Sequence, residues 1–417
     1  MASTVYFTDF KANSRENIPD KIERLLEAAG IADILSKDDL TAIKLHFGES
    51  GNVAFIRPPY IRRVVKTVRK HKAVPFLTDA NTLYAGTRSD TPSHIKTAVE
   101  NGFAYSSMDG APIIIADGLR GKSETAVEVN LKHCKEVYIG SEIISADAFI
   151  SVAHVKGHEL SGFGGALKNI GMGCASRKGK MDQHSNVSPK VKKKTCIGCG
   201  NCAEHCPSHA ISLERTDDSA SDHDDSSTAI SLKSIESEPH ATSTTLETVT
   251  RKSKKASKKA SINSDLCIGC GECIIRCPTS SINIQWNQTI PVFLEKMMEY
   301  SLGVLKNKQD KSFFINFIMD ISPACDCMPY NDTPIVRDIG ILASKDPVAI
   351  DQASVDLINA EAGITHSCLK KNILPGEDKF KGLYPEVNWE RQLEYAEEIG
   401  LGSRKYHLEN IKTLSWR

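Results

Sequence analysis

The sequence predicts an α/β fold: a mostly parallel sheet covered by helices, with an inserted α+β, ferredoxin-like domain. Three observations lead there. Residues 1–175 alternate short apolar stretches with helical periodicities, the βα rhythm of a parallel sheet. Polar and Gly-rich segments directly follow several of those stretches, where such sheets bind ligands. Two cysteine runs of the form C-x2-C-x2-C-x3-C-P interrupt the pattern, and strand-like and helix-like segments resume after them.

The elements follow in order. Residues 4–7 read as a short strand and 22–29 as a helix. Residues 42–47 alternate, with Ile43, Leu45 and Phe47 on one face and Lys44 and His46 on the other. In 59–71, Ile61, Val64, Val65 and Val68 make one helical stripe, and Arg62, Arg63, Lys66 and Arg69 form a solvated face. Residues 74–77 form a strand. Thr91 and Pro92 serve as N-cap and first residue of a helix facing inward through Ile95, Ala98 and Val99. Residues 112–116 and 148–152 are further strands. After the cysteine runs, Pro291 opens a helix striped by Leu294, Met298, Leu302 and Leu305. Residues 312–319 and 339–343 read as strands, and Asp346-Pro347 caps a helix over 347–359. These late elements are expected to return to the first sheet, because each half alone would leave a face uncovered.

The expected organisation is therefore an α/β domain in two parts, 1–189 and 287–374. The ferredoxin-like domain takes 190–212 and 265–286. A polar insert, 213–264, lies within it, and 375–417 form a peripheral helix and tail. The insert begins acidic, turns Ser/Thr-rich and ends basic, with few large apolar residues to offset the entropy of ordering; it reads as disordered.

Composition bounds the partners. With 417 residues, 52 basic and 52 acidic, the chain has no global field favouring nucleic acid or a membrane surface. No uninterrupted apolar run reaches spanning length. The first residues lack the basic and apolar regions of a signal peptide, and eight of the 13 cysteines sit in the two runs, so a reducing, cytoplasmic setting is expected.

The cysteine runs carry the sharpest chemistry. Their spacing is that by which bacterial ferredoxins hold [4Fe–4S] cubanes, the fourth cysteine of each run serving the other cluster. Cys196, Cys199, Cys202 and Cys277 are thus assigned to one cluster, and Cys267, Cys270, Cys273 and Cys206 to a second. Zinc is the alternative, but it usually uses C-x2-C pairs divided by a long spacer. Among the other cysteines, Cys134 and Cys368 read as inert thiols. Cys325 and Cys327, in a Pro-bounded loop, could bring two thiolates to one metal, with Cys174 converging on them.

A substrate crevice is expected at the strand ends, lined by His46, Glu49, Asp79, His154, His158 and Lys168, with Lys156 beside them. His154 and His158, at i and i+4, are candidate proton donors. The glycines of 161–173 match neither a phosphate-binding nor a dinucleotide fingerprint. They could still let backbone N–H groups approach an anion beside Lys168.

His46-Phe-Gly-Glu49 with Gly51-Asn52, the segment Asp79–Arg88, the segment His154–Gly173, Cys325-Asp-Cys327 and the segment Ser344–Asp351 together resemble domain-of-unknown-function family 362 (DUF362). That resemblance implies an iron–sulfur protein of anaerobic type and supplies no reaction. The long insert between the cysteine runs departs from the family pattern. The combined expectation is a two-cluster protein passing single electrons between a redox partner protein and a small-molecule substrate. A plain electron carrier, or a metal- or cofactor-handling protein using Cys325 and Cys327, are the alternatives.

Overall fold

The computed structural model describes residues 2–185, 188–215, 258–285 and 289–414. Its main sheet has eight strands among the described residues: β1 (Ser3–Asp9), β2 (Leu40–Lys44), β3 (Val74–Asp79), β4 (Ile113–Ile115), β5 (Ala148–His154), β6 (Ser312–Ile318), β7 (Gly340–Ser344) and β8 (Tyr406–Asn410). Their spatial order is β8-β1-β7-β6-β5-β2-β3-β4. Every neighbouring pair is parallel except the two made by β7, which runs against β1 and β6. The chain after the cysteine runs therefore supplies interior strands of the sheet begun before them.

Alternation along the strands divides two cores. Phe313, Ile315 and Phe317 face one side with Ile43, Leu77 and Ile150; Phe314 and Phe149 face the other. The first side is covered by α1 (Ile18–Ala28) and α2 (Pro58–Lys70), whose buried stripe is Ile61, Val64, Val65 and Val68. The second is covered by α4 (Ala166–Gly171), α6 (Ile290–Leu305), α7 (Pro347–Ala360) and α8 (Glu390–Glu398). Both faces are buried, which is why β6 reads as a nearly continuous apolar run.

Several expectations need correction. Helix α3 (Thr91–Glu100) is capped by Asp90, which accepts from Ser93 N–H, and not by Thr91. It buries His94, Thr97 and Ala98 while Val99 is exposed: His94 Nε2 lies 3.5 Å from the Asp79 carboxylate at the end of β3, and the Thr97 hydroxyl donates to the Thr87 carbonyl at 3.1 Å. The segment after 375 is not peripheral: Trp389, Leu393, Tyr395 and Ala396 join the second core, and β8 extends the sheet beside β1. The ends of the insert are ordered, with Ile211–Arg215 pairing antiparallel with Lys258–Ile262. Residues 216–257 lie outside the described residues.

The cysteine runs form a module with internal symmetry. Lys190–Val191 pairs with Ile282–Asn283, and the inner strands 211–215 and 258–262 pair with each other. Each run turns through two glycines of positive φ, Gly198 and Gly200 in one, Gly269 and Gly271 in the other. Only glycine takes that backbone without strain, and the turns fold three cysteines around one point.

Candidate functional site

The carboxyl ends of the parallel strands β2, β3 and β5 open on one cavity of about 520 Å³. His46, Glu49, Asp79, Lys156, His158, Lys168, Cys325 and Cys327 all line it. Its walls also include Leu83, Tyr84, Leu160, Met172, Phe293 and Met328, so an apolar body with a charged end fits it.

His154 does not line this cavity. It is the last residue of β5, not part of a helix, and lies buried behind the wall. Its Nδ1 meets the Asp326 carboxylate at 2.9 and 3.0 Å, and its Nε2 meets the Met319 carbonyl at 2.8 Å. His158 falls instead in a short hairpin, Lys156–His158 against Gly162–Gly164. Alternation there turns Lys156 and His158 to the same face. His158 Nδ1 accepts backbone N–H groups of Leu160 and Ser161, each at 3.2 Å, leaving Nε2–H as the ring's donor. Burial, with Lys168 and other cations nearby, holds this imidazole well below its usual range. His46 behaves alike: its Nδ1 accepts from Gly48 N–H at 2.9 Å, and burial beside Arg88 keeps it neutral. Both are neutral hydrogen-bond donors at pH 7, which for His158 differs from the titrating proton donor expected.

Glu49 is not a free base. Arg88 Nε donates to it at 3.0 Å, Thr87 N–H at 2.7 Å, and the Thr87 hydroxyl also donates to it. Arg88 also reaches Asp79 at 3.3 Å, and Asp79 pairs with Lys44 at 2.9 Å. Burial would raise the Asp79 carboxyl, but Lys44 and His94 outweigh it and hold it well below the carboxylate range. Arg88 finally donates to the Tyr84 hydroxyl at 2.9 Å, which donates to the Cys327 carbonyl at 3.1 Å. One network thus links β2, β3 and the cysteine loop.

The glycines of 161–173 have a different use from the one expected. The N–H groups of Ala166 and Leu167 donate to the Asp351 carboxylate at 2.7 and 2.9 Å. A Cβ on Gly165 would stand 2.3 Å from that carboxylate. The anion at this helix start belongs to the chain itself, supplied by α7. Asn316 Nδ2 donates to Asp351 at 2.7 Å as well.

Cys325 and Cys327 flank Asp326, which is fully buried. Asp326 pairs with Lys156 at 3.0 Å as well as with His154. Burial opposes its charge; His154 and Lys156 prevail and keep it ionised. Lys168 Nζ stands 3.5 Å from Cys325 Sγ. A hydrogen bond from Cys327, against the opposing effect of burial and with help from Lys168 and Lys156, depresses the Cys325 thiol strongly; Cys327 is pushed up. Cys174 does not converge on this pair. It lies in the second core, outside the cavity lining, and burial pushes its thiol up to about 12. Cys134 is also buried, and Cys368 is exposed.

In the cysteine module, Cys196, Cys199, Cys202 and Cys277 line one hollow, and Cys206, Cys267, Cys270 and Cys273 line another. This is the cross-paired division that the spacing implies. Backbone N–H groups point at the sulfurs: Ser281 to Cys277 at 3.1 Å, Ala210 to Cys206 at 3.3 Å, Ala260 to Cys196 at 3.5 Å. Such donors suit anionic sulfur. Among the described residues, no three His, Cys, Asp or Glu side chains gather closely enough for a single ion. The two sets surround hollows instead.

Sequence reasoning missed how this module docks. Glu272, buried in the second run, meets Arg177 at 3.1 Å and Arg276 at 2.9 Å, with Arg120 at 3.5 Å and Lys122 at 3.6 Å. Arg177 begins α5 (Arg177–His184), whose Lys180 and His184 line the cavity. The signal was present: the runs differ at this position, Asn201 against Glu272. Leu83 packs in the module's own core yet also lines the cavity. A Cβ on Gly271 would lie 2.7 Å from Leu83 Cδ1.

These features define an α/β protein with a twofold cysteine module set against a cation-lined cavity. The chain belongs to the DUF362 family, a domain of unknown function, which matches residues 41–356. No curated protein matches it. Among solved structures it is similar to the lactate racemase apoprotein of Thermoanaerobacterium thermosaccharolyticum, with 16% identity, a TM-score of 0.32, and 44% of this chain and 41% of that one covered. The chain thus spans less than half of that protein. Among the described residues no helix is long and apolar enough to cross a membrane.

Proposed function

We propose that this is an iron–sulfur redox protein that binds two [4Fe–4S] clusters and exchanges electrons with an anionic organic molecule in the cavity, within a reducing compartment. Cys196, Cys199, Cys202 and Cys277 would hold one cluster, and Cys206, Cys267, Cys270 and Cys273 the other. The division of the eight sulfurs between two hollows and the N–H groups aimed at them fit such clusters, which supply one-electron chemistry. The observation that carries the reading is the shared wall. Gly271 lines the second hollow, Leu83 lines the cavity, and the two are packed in contact.

The cavity's own residues account for an anionic ligand. Lys44, Arg88, Lys156, Lys168 and Lys180 line it. Lys44, Arg88 and Lys156 are matched by Asp79, Glu49 and Asp326. Lys168 faces a sulfur, and Lys180 donates to the Ala175 carbonyl at 2.5 Å. Burial lowers Lys180 to about 8, and an anion beside it would raise it again and hold its charge more firmly. His158 and His46 add neutral N–H donors. A carrier that only docks protein partners has no use for an enclosed site with these groups.

The test is an anaerobic preparation. About eight irons and eight labile sulfides per chain, with spectra of reducible cubanes, are expected. Zinc in place of iron, or about four irons, would overturn the reading.

A further inference from the structure

We infer that Cys325 and Cys327 form a two-electron thiol–disulfide couple on the cavity wall, converting single electrons from the cluster module into pairs. The link to the module rests on the two-cluster reading above; the couple itself rests on local geometry. Met328 N–H donates to the Cys325 carbonyl at 3.0 Å, so the cysteines are the first and third residues of a closed turn. A turn brings such residues to roughly 5–6 Å between Cα atoms, inside the range that a disulfide spans. Both line the cavity, and both are free.

The surroundings suit sulfur redox chemistry better than a metal. Lys168 already places an ammonium 3.5 Å from Cys325, where a bound cation would stand. Among the described residues, no third ligand completes a metal group here. Lys168 and the hydrogen bond from Cys327 favour the thiolate at Cys325 and leave the proton on Cys327, which makes Cys325 the readier sulfur to oxidise. The turn is held from outside: Asp326 is anchored by His154 and Lys156, and Tyr84 bonds the Cys327 carbonyl. The backbone can therefore stay fixed while the sulfurs bond.

The step balances within the protein. Cys325 S⁻ and Cys327 S–H form the S–S bond, the Cys327 S–H bond breaks, its proton leaves to solvent, and two electrons are released. The two clusters, if held by the module cysteines, would each accept one of these electrons. The reverse step would draw one electron from each, take one proton from solvent, and restore thiolate and thiol.

The tryptic peptide 312–337 contains Cys325, Cys327 and no other cysteine. The anaerobic holoprotein is equilibrated in dithiol/disulfide buffers across a range of potentials, then denatured in iodoacetamide, digested and weighed. The expected peptide passes from two alkyl groups to none, two hydrogens lighter, in a single two-electron transition. Cys327→Ser is expected to abolish the transition and keep full iron. Two alkyl groups at every potential would overturn the couple, and iron loss in Cys327→Ser would make the pair metal ligands. Iron is counted in the same samples. A transition in protein without iron would keep the couple and overturn its link to clusters.

Discussion

Replacing Lys168 by Met tests the electrostatics of the cysteine loop directly. Methionine keeps most of the side-chain stem and removes the ammonium that stands 3.5 Å from Cys325 Sγ. At an effective dielectric of ~20, unit charges at that distance attract by about 5 kcal/mol, an upper bound on the loss. Lys156 and the hydrogen bond from Cys327 remain, so the realised loss is smaller, and a fall of roughly ten- to a hundredfold in the acid dissociation constant of the thiol is expected. The assay is the initial rate of iodoacetamide labelling of Cys325, read on peptide 312–337. In Lys168→Met the pH profile of labelling moves to higher pH, so the rate drops on its acid side and recovers as pH rises, because the thiol now ionises at higher pH. Lys168→Arg should keep most of the native rate. Iron content should not change, since Lys168 touches none of the eight module cysteines. An unchanged rate and pH profile in Lys168→Met would refute the reasoning.

Two further outcomes are expected. Arg215 and Lys258 are paired partners at the end of the inner strands, so replacing 216–257 by Asn-Gly should close a tight hairpin and leave the iron content of the chain intact; loss of iron would show the insert to be structural. Stability should fall as pH drops below 6.5, because His46, His94, His158 and His184 are all depressed by burial and the unfolded chain takes up protons that the fold refuses. Four such groups give up to about 5 kcal/mol per pH unit. Asp351, raised to about 6 by burial, works the other way below that pH but offsets at most one of the four protons, so the loss grows steeper from pH 6.5 down to about 5.5. A urea midpoint flat across this window would contradict it.

How much of this was legible beforehand follows from the range of each interaction. Three cysteines of each set lie on one short loop and need only local spacing, whereas the fourth comes from the other run and is brought in by the pairing of the module's two halves. The split faces of 42–47 and the Asp346 cap, which accepts from Val348 and Ala349 N–H, are likewise set by neighbours in the chain. So was the gathering of polar segments at strand ends, because parallel strands carry their following loops to one edge of the sheet. The sequence alone could thus determine the α/β class and place Glu49, Asp79, Lys156 and Lys168 at the strand ends, but not Lys44, Arg88 or Lys180, which also line the cavity.

Tertiary structure alone decided what each polar group does. His154 and His158 are four residues apart and look equivalent, yet one is buried against Asp326 and the other lines the cavity. Strand pairing settles which, and the partner lies 172 residues away. Asp351 fills the anion site of the Gly-rich loop from 185 residues away. Glu272 selects Arg177 across 95 residues. A buried charge is stable only beside its partner, and in this chain those partners are brought in by distant strands and helices, so no local pattern encodes them.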